Sequence, residues 1–110
     1  FLKSDGKNID VLYAHNDDMA IGAIQAIEEY GLVPGKDITI IGVDAVKGAF
    51  EAMAAGKMNV TVECNPMFGP QMVDLIEAYL AGEEIPKRVA VEESIYTMDQ
   101  AKELLPTREY

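Results

Sequence analysis

Short β-prone runs alternate with amphipathic helical stretches along the whole chain, and this alternation constrains the fold more than any other feature. Val- and Ile-containing runs lie at 9–15, 37–44 and 58–64, and a fourth run falls within 87–96. Strands that alternate with helices in this way are typical of βα units, in which neighbouring strands run parallel. The pattern predicts an α/β fold in which a parallel sheet is flanked by helices.

Capping residues and glycines mark the predicted helix boundaries. Asn16 precedes the first of these helices, and an amide side chain there accepts a hydrogen bond from the exposed backbone N–H groups. Gly31, Gly56 and Gly82 follow three helical stretches, where glycine readily takes the left-handed conformation that ends a helix. The sequence therefore predicts three helices between these limits.

Two further signals concern the second half of the chain. Asn65 followed by Pro66 predicts an N-cap and a first-turn proline for the third helix, although Pro70 favours a later start of its regular part. Thr97 and Gln100 have the spacing of a capping box, which predicts a short final helix.

Composition and charge exclude several classes of function. The chain has 110 residues and a net charge of −10, and its 9 Lys and Arg residues are scattered. Clustered basic residues are needed to bind nucleic acid or an anionic membrane surface, so neither is expected as a partner. No run is long and apolar enough to span a membrane. The single cysteine allows no intrachain disulfide.

Polar side chains follow three of the predicted strands. Asn16 follows the first strand, Asp44 follows the second, and Cys64 with Asn65 follows the third. Ligands of open α/β sheets bind outside the carboxyl ends of the strands. Amide and carboxylate groups at this edge suit a polyhydroxylated ligand, because a carboxylate accepts strong hydrogen bonds from hydroxyls. The same residues are also common caps and turn formers, so a purely structural role stays open.

Metal-binding and catalytic alternatives have less support. Asp17, Asp18 and Asp44 could supply oxygen ligands to Mg²⁺, but no other feature indicates phosphate chemistry. Cys64 and His15 could form a nucleophile and its base, but no third residue is evident that would orient the base. The stretch "IGVDAVKG" lacks the spacing of a phosphate-binding loop. We therefore predict no metal site, no cofactor and no catalytic residue.

Three stretches together resemble a known family. "YAHNDDMAIGAIQAIEEYGLVPGKDITIIGVD" is similar to the sugar-binding proteins of ABC transporters, the ribose-, galactose- and galactofuranose-binding group. "AFEAMAAGKMNVTVECNP" continues the similarity, and "YTMDQAKELLP" is most similar to the galactofuranose type. The resemblance covers nearly the whole chain and depends on the combination of these motifs.

The resemblance implies a periplasmic binding protein-like fold of type I, with a monosaccharide bound between two α/β lobes. The chain would be a C-terminal fragment that lacks most of the N-terminal lobe. Residues 1–64 would form part of the C-terminal sugar-binding lobe, and residues 65–82 a helix that packs on the missing N-terminal lobe. Residues 83–110 would supply a crossing strand and a terminal helix.

The resemblance also implies roles for the residues at the strand ends. Asn16 and Asp44 match family residues that hydrogen-bond sugar hydroxyls. A Gln or Asn is common at the third position, which Cys64 occupies here with Asn65 beside it. This departure weakens any transfer of ribose specificity to this chain.

The implied function is a non-enzymatic solute-binding component of an ABC sugar importer, whose partners are a monosaccharide and a membrane permease. The location would be periplasmic, or extracellular and membrane-anchored, with a signal segment upstream of Phe1. Two alternatives are the effector-binding core of a lactose-repressor-type regulator and a phospho-acceptor domain that uses Asp44. We also expect weak sugar binding by the chain alone, and self-association through its uncovered helix.

Overall fold

The computed structural model describes the backbone of residues 1–110 and every side chain except that of Lys7. Short 3₁₀ turns follow the first and last helices, at Gly6–Asn8 and Leu105–Thr107. The helices and strands in chain order are α1 (Leu2–Asp5), β1 (Val11–Tyr13), α2 (Asp17–Tyr30), β2 (Thr39–Asp44), α3 (Lys47–Ala54), β3 (Val60–Glu63), α4 (Gly69–Leu80), β4 (Ile95–Thr97) and α5 (Met98–Leu104).

The four strands form one sheet in the order β1-β2-β3-β4. The first three run parallel, which confirms the α/β class with a parallel sheet and flanking helices. The sheet is not wholly parallel, because β4 runs antiparallel to β3. The chain leaves β3 at its carboxyl end and returns to the same end, where Glu63 N donates to Ser94 O at 2.9 Å. A strand that starts at this end can only run back.

Most predicted element boundaries agree with the structure, although the strands are shorter than their β-prone runs. Asn16 caps α2, since its Oδ1 accepts a hydrogen bond from Met19 N at 2.8 Å. Gly31 follows α2 with a φ of 95°. The capping box of α5 is present, and Thr97 N donates to Gln100 Oε1 at 3.0 Å. The local signals therefore predicted these helix ends correctly.

The third helix does not begin at Asn65 and Pro66 but later, as Pro70 indicated for its regular part. Helix α4 starts at Gly69, with Phe68 as its N-cap. A helix that began at Pro66 would place Pro70 beyond the first turn, where proline removes a backbone hydrogen bond and clashes with the preceding turn. Asn65 Oδ1 instead accepts a hydrogen bond from Met67 N at 2.8 Å and so stabilises a turn before the helix.

The core lies between the sheet and helices α2, α3 and α5, whereas α4 contributes no buried residue.

The chain measures 60 × 30 × 16 Å with a radius of gyration of 18.1 Å. A compact domain of this length would have a radius of about 13 Å. Residues 66–91, which we call the α4 arm, account for the difference. No helix formed by the described residues combines the length and apolarity needed to cross a bilayer. The largest fully buried apolar side chains are Phe50, Ile27, Ile38, Ile40, Met53 and Met58.

Candidate functional site

Strand β2 ends in a turn with an unusual backbone. Asp44 has a φ of 113° and Ala45 a φ of 61°, and these are the two non-glycine residues with positive φ in the described backbone. Each such residue costs about 1–3 kcal/mol and persists only where its surroundings hold it in place. The turn therefore depends on contacts with the rest of the molecule.

Asp17 supplies two of these contacts. Its carboxylate is fully buried, and its Oδ2 accepts a hydrogen bond from Val46 N at 3.0 Å. Its Oδ1 accepts from Thr61 Oγ1 at 2.8 Å, and Thr61 Oγ1 in turn accepts from Ala45 N at 3.1 Å. The first turn of α2 and the centre of β3 thus hold the two backbone N–H groups that follow Asp44.

Burial of Asp17 raises the pKa of its carboxyl group, and the hydrogen bonds from Thr61, Val46 and Ala45 only partly offset that effect. Both carboxylate oxygens are occupied by these bonds, so Asp17 is unsuited to the magnesium site considered from the sequence. Asp18 lies exposed on the same helix. Among the side chains that the structure describes, no three acidic, His or Cys groups are placed to hold a metal ion.

Three of the four predicted ligand-binding residues meet at one open cavity. Asp44, Cys64 and Asn65 line a cavity of about 400 Å³ beyond the carboxyl ends of β2 and β3. Asn16 caps α2 at the neighbouring strand end and does not line this cavity, which is bordered elsewhere by the mainly apolar side chains Val46, Pro66, Phe68 and Tyr110. The cavity thus combines one carboxylate and one amide with an apolar wall.

The amide groups of Asn16 and Asn65 differ in what they leave open to a ligand. In Asn16 the capping bond uses Oδ1, so Nδ2 is the group that could donate to a ligand. In Asn65 the backbone N–H donates to Glu93 Oε1 at 3.0 Å, and Nδ2 donates to Glu92 O at 3.5 Å. Asn65 therefore also joins the end of β3 to the returning chain.

His15 and Cys64 do not form a nucleophile and base. Strand β2 separates β1 from β3, and two strand spacings place their ends about 10 Å apart. The His15 ring lies beside the Tyr13 ring, with 5.7 Å between their centroids. Proton transfer requires hydrogen-bond distance, so this arrangement gives the thiol no base.

Glu63, at the end of β3, accepts four hydrogen bonds. Its Oε1 accepts from Arg108 Nη2 at 3.0 Å and from Tyr110 OH at 2.6 Å. Its Oε2 accepts from Tyr96 OH and Ser94 N, both at 3.1 Å. Burial opposes ionisation of Glu63, but the hydrogen bonds from Tyr110, Arg108 and Tyr96 outweigh it and hold the pKa of Glu63 below its usual value.

The sequence did not predict this cluster, because its members are far apart in the chain. Glu63 is separated from Arg108 by 45 residues and from Tyr110 by 47. Neither a repeat period nor a local motif connects such positions. The one available signal was a glutamate near the end of the β-prone run 58–64, which by itself does not indicate a partner.

An α/β sheet with polar groups at its strand ends and an open cavity beside them has the arrangement in which open α/β folds bind ligands. The chain belongs to the family described as "Periplasmic binding protein domain", whose model matches residues 1–84.

Three similar proteins are named for a sugar or were solved with one bound. The galactofuranose-binding protein YtfQ of Escherichia coli (strain K12) is 44% identical over 108 residues, which are 96% of this chain and 34% of that protein. A Mycobacterium smegmatis structure in complex with β-D-fucofuranose is 45% identical with a TM-score of 0.89, covering 99% of this chain and 36% of that one. The binding protein of the arabinose ABC transporter from Shewanella sp. ANA-3, bound to α- and β-L-arabinofuranose, is 41% identical with a TM-score of 0.92 and covers 99% and 37%.

The chain spans about a third of the length of the curated relatives it matches. These relatives are named as binding proteins and not as enzymes, in agreement with the prediction of a chain without catalytic activity. The resemblance to sugar-binding proteins of ABC importers is likewise confirmed.

Proposed function

We propose that this chain forms one wall of the sugar-binding cleft in the solute-binding component of an ABC importer. The observation that carries the proposal is the open cavity beyond β2 and β3, at which the strained Asp44 meets Cys64 and Asn65. Asp44 accepts hydrogen bonds from sugar hydroxyls, and Asn16 Nδ2 donates to the same ligand from the neighbouring strand end. Cys64 and Asn65 complete the polar side of the site.

The ligand that fits best is a monosaccharide in its furanose form. Two of the similar structures contain a furanose, and the E. coli relative is named for one. Like any monosaccharide, a furanose carries both hydroxyl groups and apolar C–H surface. The cavity offers a matching division, with Asp44 on one side and apolar side chains such as Phe68 on the other.

The exposed apolar residues of the α4 arm are the reason to propose a second lobe. Helix α4 buries none of its residues, and Leu80 and Tyr79 are 77% and 66% exposed. Exposed apolar patches of this kind mark surfaces that bind another protein segment. We propose that residues 65–82 pack on an N-terminal lobe, that residues 1–64 belong to the C-terminal lobe, and that residues 83–110 supply a crossing strand and a terminal helix. The apolar residues of α4 that this packing would cover are Met72, Val73, Ile76, Tyr79 and Leu80.

The importer's other parts follow from the same proposal. A membrane permease receives the sugar from the closed two-lobe protein, which acts in the periplasm or, membrane-anchored, at the cell surface after export by a signal segment. Closure of two lobes around a ligand is a hinge motion that gives the permease a ligand-dependent surface.

The test is sugar binding by the two-lobe protein that contains this chain. A thermal-shift screen against pentoses and hexoses, including furanose forms, should show stabilisation by one sugar, and calorimetry then gives its Kd. Asp44→Asn should raise that Kd about 10- to 100-fold, because hydrogen bonds to a charged group contribute about 1.5–3 kcal/mol. The matched control is Asp18→Asn, which removes the same charge from an exposed position outside the cavity.

Two results would contradict the proposal. One is the absence of stabilisation by any sugar. The other is an equal effect of the two substitutions, since Asp44 would then act only through net charge. Effector-dependent DNA binding by the complete protein would instead support the repressor alternative.

A further inference from the structure

The peptide group between Ala45 and Val46 is held from both sides by charged side chains. Its N–H donates to Asp17 Oδ2 at 3.0 Å. Its carbonyl accepts from Arg108 Nη2 at 2.7 Å, a bond that spans 63 residues of sequence. This peptide group directly follows the strained pair Asp44 and Ala45.

Rotation of this peptide group would change ψ of Ala45 and φ of Val46 and would exchange the directions of its N–H and C=O. At this position, rotation would turn the carbonyl toward the carboxylate of Asp17 and the N–H toward the guanidinium of Arg108. Both contacts would then be repulsive, whereas both are now charge-assisted hydrogen bonds. The two side chains together therefore fix the peptide group at the exit of the turn that carries Asp44, next to the peptide group that Thr61 holds through Ala45 N.

Arg108 is itself fixed in place. Its Nη2 also donates to Glu63 Oε1 at 3.0 Å, and only 10% of its side chain is exposed. Its guanidinium lies over the rings of Phe50 and Tyr110, at 4.8 and 4.6 Å from their centroids. The planar guanidinium can stack flat on a ring while its fork of N–H groups donates to two acceptors, and the compact lysine ammonium lacks this flat face and fork.

Tyr110 connects the same cluster to the cavity. Its hydroxyl donates to Glu63 Oε1 at 2.6 Å, and its backbone oxygen accepts from Lys47 N at 2.6 Å. Its side chain also lines the cavity together with Asp44. Anchored at both ends, Tyr110 is held as part of the apolar wall.

We propose that residues 108–110 belong to the sugar site, in which Arg108 is a positioning residue for Asp44 and Tyr110 forms a wall that contacts the ligand. This inference rests on the proposed function and deepens it. It assigns sugar recognition to a segment that lies 64 residues beyond Asp44 in the chain.

The first experiment is a double-mutant cycle in the two-lobe protein, read out as sugar Kd by calorimetry. Arg108→Lys should raise the Kd about tenfold when Asp44 is present and have little effect in the Asp44→Asn background. Groups that act through one another show such non-additivity. A general structural role would weaken both backgrounds equally, and that result, or an unchanged Kd, would overturn the role of Arg108.

The second experiment separates the ring of Tyr110 from its hydroxyl. Tyr110→Phe keeps the ring and should leave the sugar Kd within about twofold, whereas Tyr110→Leu should raise it about fivefold, within the range for aromatic contacts. Equal sugar affinities of the Leu and Phe variants would overturn the role of the ring as a wall.

A third measurement requires no substitution. Sugar binding should slow amide hydrogen exchange of the unchanged protein at residues 45–47 and at residues 108–110. Unchanged exchange at 108–110 in the presence of saturating sugar would overturn the inference while leaving the proposed function intact. Failure of the unchanged protein to bind any sugar would instead contradict the proposed function, so the two failures are distinguishable.

Discussion

Two aspartates that lie close together at the carboxyl edge of the sheet have opposite roles. Asp17 is fully buried and uses both oxygens to hold the turn after β2. Its burial raises the pKa of its carboxyl group, and these hydrogen bonds offset the rise only in part. Asp44 lies on that turn and lines the cavity. Asp17 thus stabilises the turn, and in our proposal Asp44 binds the sugar.

Gly42 leaves the space that Asp17 occupies. A Cβ at position 42 would collide with Asp17 Oδ1 and Met58 Cε, both of which are buried. We expect Gly42→Ala to lower the free energy of unfolding by about 2 kcal/mol, since overpacking of a core costs about 1–3 kcal/mol. Urea denaturation measures this change.

Gly22→Ala is the matched control. Gly22 lies in α2, and a Cβ there meets nothing within 4 Å. Alanine is the better helix former, so this variant should be unchanged or more stable by up to about 1 kcal/mol. A similar loss of stability in both variants would show that the contact with Asp17 is not the cause.

The cluster around Glu63 predicts how stability depends on pH. The pKa of Glu63 is lowered from 4.5, so its contribution is present above that pH and is lost as the pH falls through the lowered value. Burial and the bond to Glu63 raise the pKa of Tyr110 from 10.0 to about 12, so its contribution is present below pH 10.0 and is lost as the pH rises toward 12. Asp17, with a raised pKa, opposes the acid loss.

Unfolding free energies measured across pH test these two contributions separately. Glu63→Gln should flatten the acid side of the profile, and Tyr110→Phe should flatten the alkaline side while leaving the acid side largely in place. Profiles of the two variants that remain parallel to that of the unchanged protein would contradict the assignment.

At the scale of elements, α4 differs from its neighbours. Helix α2 buries Ala20, Ile24 and Ile27 against the sheet, whereas α4 is amphipathic but buries none of its residues. Because most helical stability in proteins comes from packing of the apolar face, we expect α4 to be less stable than α2 in the isolated chain.

Amide hydrogen exchange should show this difference. In the isolated chain we expect α4 to exchange much faster than α2, which serves as the internal control. In the two-lobe protein the amides of α4 should approach the protection of α2, because the proposed N-terminal lobe covers its apolar face. Equal exchange of α4 in the isolated chain and in the two-lobe protein would argue against this packing.

At the scale of the whole molecule, the chain is 60 Å long, and helix α4 of its α4 arm buries no residue. The cavity beside Asp44 is open, so a sugar bound there would be covered from one side only. A binding cleft normally buries most of its ligand, and the missing coverage must come from elsewhere.

We therefore expect the isolated chain to bind its sugar at least about 1000-fold more weakly than the two-lobe protein, a loss of about 4 kcal/mol. Calorimetry that shows micromolar binding by the isolated chain would contradict this.

The uncovered face of α4 should also cause self-association that increases with concentration, and Ile76→Glu should reduce it in sedimentation experiments.

The sequence by itself determined the types of the elements, most helix ends and the three polar strand ends. These features depend on side-chain periodicity and on caps such as Asn16 and Gly31, whose partners lie within a few residues. The resemblance, which depends on motifs within single βα units, was recognisable for the same reason.

Tertiary structure alone decided the direction of β4 and the roles of Asp17, Glu63 and Arg108. The start of β4 beside the end of β3 follows from the path of the whole α4 arm, which no local pattern specifies. Asp17 reaches its backbone partner across 29 residues, and Arg108 reaches its own across 63. Such hydrogen bonds form only once the sheet has brought distant segments together, so they leave no local pattern in the sequence.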